Sequence, residues 1–154
     1  MAGLFSSISS AFSGGDAKLV DQIEQFASVY LSYGEVSRGL TLQREEQSFL
    51  AALLSEELYR GYCATALKRD CNPRALEHLD SVRRARLSAL SVPAQSTERL
   101  EGALRAFAVD LVQLARQHGK FSQRFASADG LSETLVQPIV SAHASAVRGA
   151  KRAI

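Results

Sequence analysis

The architecture of this protein follows from residues 41–69, which read TLQREEQSFLAALLSEELYRGYCATALKR. Apolar residues recur through this segment at helical spacing and form a broad stripe rather than a narrow one. A broad stripe predicts a helix that packs against more than one neighbouring helix. The acidic pairs Glu45-Glu46 and Glu56-Glu57 are predicted to form a solvated acidic face of the same helix. The stripe consists of Phe49, Leu50, Leu53, Leu54, Leu58, Tyr62, Ala66 and Leu67.

A second helical pattern precedes this segment. Residues 16–33 place apolar side chains at alternating steps of four and three, which defines one narrow buried face. Asp16 is a good N-cap, because a short carboxylate accepts hydrogen bonds from the free N–H groups of the first helical turn. Gly34 is a typical residue for the end of a helix.

Three further helices are predicted after residue 69. The next one begins at Pro73, with Asn72 as its N-cap, and ends before Pro93. The following helix is capped by Ser96 or Thr97 and ends at residues 118–119, His-Gly. The last helix runs from about residue 131 to residue 152, and Pro138 either kinks it or marks its start.

The pattern as a whole indicates an all-α fold. We expect a single-domain helical bundle or elongated helical array of four to five main helices plus a short N-terminal amphipathic helix. Residues 1–15 form the N-terminal amphipathic segment with a glycine hinge, and residues 16–154 form the single helical domain. A chain of 154 residues with 46% hydrophobic residues can build a core without disulfides or metal.

The opening segment MAGLFSSISSAFSGG, residues 1–15, carries no charged side chain. In a helix, Leu4, Phe5, Ile8 and Phe12 share one side and serines occupy the other. So short a helix is marginal in water, so it would order only by burying its apolar side. The sequence leaves three receiving surfaces open: the protein's own bundle, another copy or a partner protein, and a lipid surface.

Reactive residues do not converge on a recognisable catalytic or metal-binding motif. The three histidines stand in no metal-ligand spacing, and Cys63 and Cys71 are eight residues apart, which is not a metal or redox spacing. We therefore expect no enzymatic activity, no catalytic residue, no metal site and no cofactor. His143 falls on the apolar face of the last helix and is predicted to be a buried or interface histidine.

The charge is unevenly distributed along the chain. The first 62 residues hold four basic and eight acidic side chains, whereas the remainder hold fourteen basic and eight acidic ones. A basic half favours an anionic partner. The candidate contacts are Arg83, Arg84, Arg86, Arg148, Lys151 and Arg152.

These observations rank three functions. The first is a non-enzymatic structural or interaction protein, a homo-oligomer or the partner of another protein in a larger complex such as a virion, a secretion machine or a scaffold. The second is a peripheral membrane protein that inserts its N-terminal helix, and the third is a nucleic-acid-binding helical protein. The N-terminus lacks the basic and continuously apolar regions of a classical signal peptide. The expected location is the cytoplasm or a particle assembled there.

Overall fold

The computed structural model describes residues 16–32, 38–117 and 133–152. Within these ranges the secondary structure is helical and contains no strand, which confirms the all-α prediction. The elements are α1 (Ala17–Ser32), α2 (Arg44–Tyr62), α3 (Pro73–Leu87), α4 (Ala94–Gln117) and α5 (Glu133–Lys151). The predicted N-terminal helix lies outside the described residues.

Helix α2 occupies the centre of the fold. It packs against α1, α3 and α4, and α4 in turn packs against α5. Eleven of the 19 residues of α2 are buried, so its apolar stripe is covered from several sides. The prediction that this helix contacts more than one neighbour is confirmed. The largest fully buried side chains of the protein are Tyr59, Phe49, Phe107, Ile23, Leu31, Leu40, Leu50, Leu53, Leu79, Leu100, Leu104 and Leu111.

Helix α2 runs opposite to α1, and α3 runs opposite to α2. The start of α1 lies beside the end of α2, where the Tyr59 hydroxyl bonds Asp16, and the end of α1 lies beside the start of α2. Helix α3 returns along α2, because Arg86 near its end reaches the Ser48 carbonyl at 2.9 Å. Lys151 at the end of α5 bonds Glu46 near the start of α2.

Two predicted helix boundaries agree with the structure. The Asn72 side chain accepts a hydrogen bond from the Arg74 backbone N–H at 2.9 Å, and Pro73 is the first residue of α3. Proline loses nothing there, because the N–H of that position has no partner inside the helix. Asp16 precedes α1 as predicted, and its carboxylate bonds Tyr59 and Arg69.

The end of the central helix differs from the prediction. Regular α-helix stops at Tyr62, and Cys63–Leu67 form a π-helical turn that ends at Lys68 in the left-handed conformation, with φ of 54°. A π-turn holds more residues than an α-turn, so it rotates the following side chains around the helix axis. Ala66 and Leu67 were expected on the buried stripe, but both are exposed, Leu67 by 37%.

Helix α4 begins earlier than predicted, whereas α5 begins within two residues of its predicted start. Helix α4 begins at Ala94, so Ser96 and Thr97 lie inside it rather than at its cap. The Thr97 hydroxyl donates to the Pro93 carbonyl at 3.2 Å, and the Ser96 hydroxyl donates to the Arg152 carbonyl at 3.2 Å. Helix α5 continues through Pro138 from Glu133, so this proline does not mark its start.

The Val140 side chain of α5 packs closely against Gly39, in the segment that precedes α2. A Cβ atom added to Gly39 would lie 2.3 Å from Cγ1 of Val140, which is far inside van der Waals contact. Any larger residue at position 39 must therefore displace the Val140 side chain.

Candidate functional site

The most highly charged part of the protein's interior surrounds Glu56. This α2 residue is 4% exposed. Its carboxylate receives Arg105 of α4 at 3.1 Å and Arg60 of α2 at 3.2 Å, and the Arg83 Nε of α3 lies 3.5 Å away. Three guanidinium groups on three helices therefore share one buried carboxylate.

Further carboxylates complete the neutralisation of these arginines. Arg83 also bonds Glu101 at 2.5 Å and pairs with Asp80, and Arg105 reaches Glu57 at 2.9 Å. Burial lowers the pKa of Arg105, but the charges of Glu56 and Glu57 outweigh burial and raise that pKa above its usual value. We call the full set the arginine–carboxylate cluster; it comprises Glu56, Glu57, Arg60, Asp80, Arg83, Arg84, Glu101 and Arg105.

The cluster contains four arginines and four carboxylates, so its formal charge is zero. Guanidinium groups do not lose protons in proteins and therefore serve neither as bases nor as nucleophiles. The arrangement is suited to holding α2, α3 and α4 together at a fixed register rather than to proton transfer.

Two glutamates of α2 are buried, whereas the sequence predicted that they lie on a solvated acidic face. Glu46 and Glu56 are 3% and 4% exposed, respectively, so the prediction was wrong at both positions. Glu46 accepts a hydrogen bond from the Gln43 backbone N–H at 2.7 Å and lies 2.9 Å from the Lys151 Nζ. Both acids are buried because basic side chains from other helices compensate their charge.

A second polar centre lies where α2 ends and α1 begins. The buried Tyr59 hydroxyl donates to Asp16 and accepts the Asn72 backbone N–H at 2.8 Å, and Arg69 bonds the other oxygen of Asp16 at 2.5 Å. We call these four residues the Asp16 node. The node ties the start of α1 to α2, to the loop that follows the π-helical turn and to the N-cap of α3.

The node changes the acidity of its members in opposite directions. Burial raises the pKa of Asp16, but the hydrogen bonds from Arg69 and Tyr59 outweigh burial and hold that pKa below its usual value. Burial and the hydrogen bond to the Asp16 carboxylate raise the pKa of Tyr59 above its usual value. At neutral pH Asp16 is therefore charged and Tyr59 is protonated.

The structure separates the six basic residues proposed to contact an anionic partner. Arg83 was predicted to contact an anionic partner, but its side chain is only 13% exposed and is held by carboxylates of the protein itself. Lys151 also faces inward, because it bonds both Glu46 and the Thr41 carbonyl. Arg86 is half-buried and bonds the Ser48 carbonyl. The exposed members are Arg84, Arg148 and Arg152, and Arg84 pairs with Asp80.

His143 lies between the last two helices. Its ring Nε2 is 2.7 Å from the Asp110 carboxylate, and its side chain is 16% exposed. The ring also packs edge-on against Phe107, with ring centroids 5.7 Å apart. The imidazole therefore contributes to the contact between α4 and α5, and one of its nitrogens has a carboxylate partner.

Leu4, Phe5, Ile8 and Phe12, the predicted association residues, lie outside the described residues. In the part of the chain that the structure covers, no three His, Cys, Asp or Glu side chains gather in a way that could hold a metal ion. No helix in that part is both long enough and apolar enough to cross a membrane.

Comparisons with protein-family models, with the sequences of curated proteins and with solved structures found no match for this chain.

Proposed function

We propose that this chain is a non-enzymatic structural or interaction protein that self-associates, with residues 1–15 as the associating segment. One observation supports this most strongly. Among the side chains whose burial the structure describes, Leu67 is the only large apolar one that is exposed. The described helices thus bury their own apolar residues and leave little apolar surface for a partner.

We assign the association to residues 1–15 because, in a helix, Leu4, Phe5, Ile8 and Phe12 would form an apolar side that needs a partner. This segment has no charge and joins the helical domain at Asp16, which is anchored by Tyr59 and Arg69. An apolar helix face needs another apolar face to leave water. The matching surface that this chain offers is the same segment of a second copy.

The test compares the solution mass of the full chain with that of the double variant Phe5→Ser/Phe12→Ser, by light scattering after size exclusion. Burying a phenylalanine contributes about 1.5–3 kcal/mol, so loss of two weakens association by about 10²–10⁴-fold per chain. The matched control is Ser6→Ala/Ser10→Ala, which changes the polar side of the same segment and keeps its apolar side.

A multimer for the wild type and the control, and a monomer for the phenylalanine variant, is the expected result. A monomeric wild-type chain refutes self-association. Uncharged phosphatidylcholine vesicles then distinguish the membrane alternative: they would retain the wild type and the serine control but not the phenylalanine variant. Nucleic acid remains third, since Arg83 and Lys151 are engaged by carboxylates within the protein.

A further inference from the structure

Two free cysteines flank the loop that connects α2 to α3. Cys63 is the first residue of the π-helical turn and is 1% exposed. Cys71 stands two residues before α3, half-buried against the hydrophobic core. The sequence spacing of eight residues gave no reason to pair them, so their proximity is a product of the fold.

Two hydrogen bonds fold the loop that carries Cys71 back toward Cys63 and the end of α2. The Arg69 N–H donates to the Cys63 carbonyl at 3.1 Å, which folds the loop back onto the π-turn. The Asn72 N–H donates to the Tyr59 hydroxyl at 2.8 Å, and Tyr59 lies one helical turn before Cys63. Cys71 thus lies between Arg69, which is bonded to Cys63, and Asn72, which is bonded to Tyr59 one helical turn before Cys63.

The thiols themselves interact. Burial, together with a hydrogen bond and a charge interaction with Cys63, raises the pKa of the Cys71 thiol to about 11. At neutral pH the Cys71 thiolate is therefore scarce, and its exchange reactions are slow. Slow exchange affects the rate at which such a pair reacts but does not set its equilibrium.

We propose that Cys63 and Cys71 form a redox modification site, a dithiol that small-molecule disulfides convert to an intrachain disulfide. With oxidised glutathione, one thiolate attacks a glutathione sulfur and releases reduced glutathione, and the second cysteine thiolate then displaces the other glutathione from the mixed disulfide. Two cysteine thiols are oxidised, one glutathione disulfide is reduced to two thiols, and the two protons end on the glutathione thiols. This site is independent of the association proposed for residues 1–15.

The bridge would close the loop that contains Arg69, a partner of Asp16. Because folding already holds the thiols together, the folded chain favours the bridge more than the unfolded chain does. By linkage, the bridge then stabilises the folded state by the same factor.

The experiment equilibrates the full chain in mixtures of reduced and oxidised glutathione, from both directions, in native buffer and in concentrated urea. Free thiols are then trapped by alkylation, and intact mass and peptide maps identify the bridge. The equilibrium is set by the squared concentration of reduced glutathione divided by the concentration of oxidised glutathione. We expect this quotient, at the point where half of the bridge is open, to be at least about ten-fold higher for the folded chain, equivalent to about 1.4 kcal/mol. The variant Cys71→Ser should yield glutathione adducts and no intrachain bridge.

A folded chain whose bridge is half open at the same or a lower value of this glutathione quotient than in the unfolded chain refutes the proposal. So does a folded chain that accumulates only glutathione adducts or links between chains. The reference in urea keeps the result interpretable, because a short loop closes readily in an unfolded chain.

Discussion

Replacing Tyr59 with phenylalanine tests whether the Asp16 node stabilises the fold. The substitution keeps the buried ring and removes only the hydroxyl, which donates to Asp16 and accepts the Asn72 N–H. A hydrogen bond to a charged group contributes about 1.5–3 kcal/mol, and a neutral one contributes about 1 kcal/mol. We therefore expect Tyr59→Phe to lower the free energy of unfolding by about 2–4 kcal/mol.

Urea unfolding followed by circular dichroism measures this change. With a slope of about 2 kcal/mol per molar urea, the midpoint should fall by about 1–2 M while the slope stays constant. Arg69→Ala is the matched comparison. The Arg69 side chain is 46% exposed, so its pair with Asp16 is screened by solvent and should contribute less than about 1 kcal/mol.

A double-mutant cycle isolates the Tyr59–Asp16 contact. If the buried bond is formed, the effects of Tyr59→Phe and Asp16→Ala on the free energy of unfolding should differ from additivity by about 1–3 kcal/mol. If the free energy of unfolding of Tyr59→Phe lies within about 0.5 kcal/mol of the wild-type value, the reasoning is refuted, because losing two buried hydrogen bonds should cost more than that. If Tyr59→Phe and Arg69→Ala lower the free energy of unfolding equally, the buried bond is not the stronger of the two, contrary to this prediction.

Three further predictions concern stability. Because the pKa of Asp16 is depressed in the folded state, its carboxylate stabilises the fold above its unfolded pKa of about 4; this contribution is lost as pH falls below that value, so the stability difference between wild type and Asp16→Asn should shrink in acid urea titrations. Gly39→Ala should lower the free energy of unfolding by about 1–3 kcal/mol, because its Cβ would meet the Val140 methyl carbon at 2.3 Å. Gly102→Ala in α4 has open space around the added atom and should raise the free energy of unfolding by about 0.5–1 kcal/mol. Thermal melts in which both variants shift the melting temperature in the same direction would contradict this prediction. Arg83→Ala should cost about 3 kcal/mol, because it removes the charge-assisted bonds to Glu101 and Asp80 from a side chain that is only 13% exposed. Arg84 is 74% exposed, so Arg84→Ala should cost less than about 1 kcal/mol. Similar urea midpoints for the two variants would show that Arg83 is not buried in solution.

The sequence predicted those features of the fold that depend on neighbouring residues. The Asn72-Pro73 start of α3 follows from the capping geometry of two adjacent residues, and the structure has it at the expected position. The broad stripe of α2 follows from helical periodicity, and α2 does pack against three helices. Both signals are local, so both can be recognised in the sequence without knowledge of the fold.

The arginine–carboxylate cluster could not be predicted in the same way. Arg60 lies one helical turn after Glu56, but Arg83 and Arg105 are 27 and 49 residues away, so nothing near Glu56 in the sequence indicates that these two will reach it. One signal was present nonetheless. Glu56 lies four residues after Ala52 and three before Tyr59, both of which are buried, so helical spacing places Glu56 in a buried row.

The buried charges and the apolar stripe have different roles in fixing this fold. Burial of apolar area is non-directional, so the leucine- and alanine-rich face of α2 would tolerate small shifts of its neighbours along the helix axis. An arginine shared by carboxylates on different helices tolerates no such shift, because sliding α3 by one turn would move Arg83 about 5 Å from its partners. Apolar burial therefore accounts for the association of α2, α3 and α4, and the arginine–carboxylate cluster accounts for their register. The same division explains why sequence periodicity predicted which helices form and gave no information about how they align.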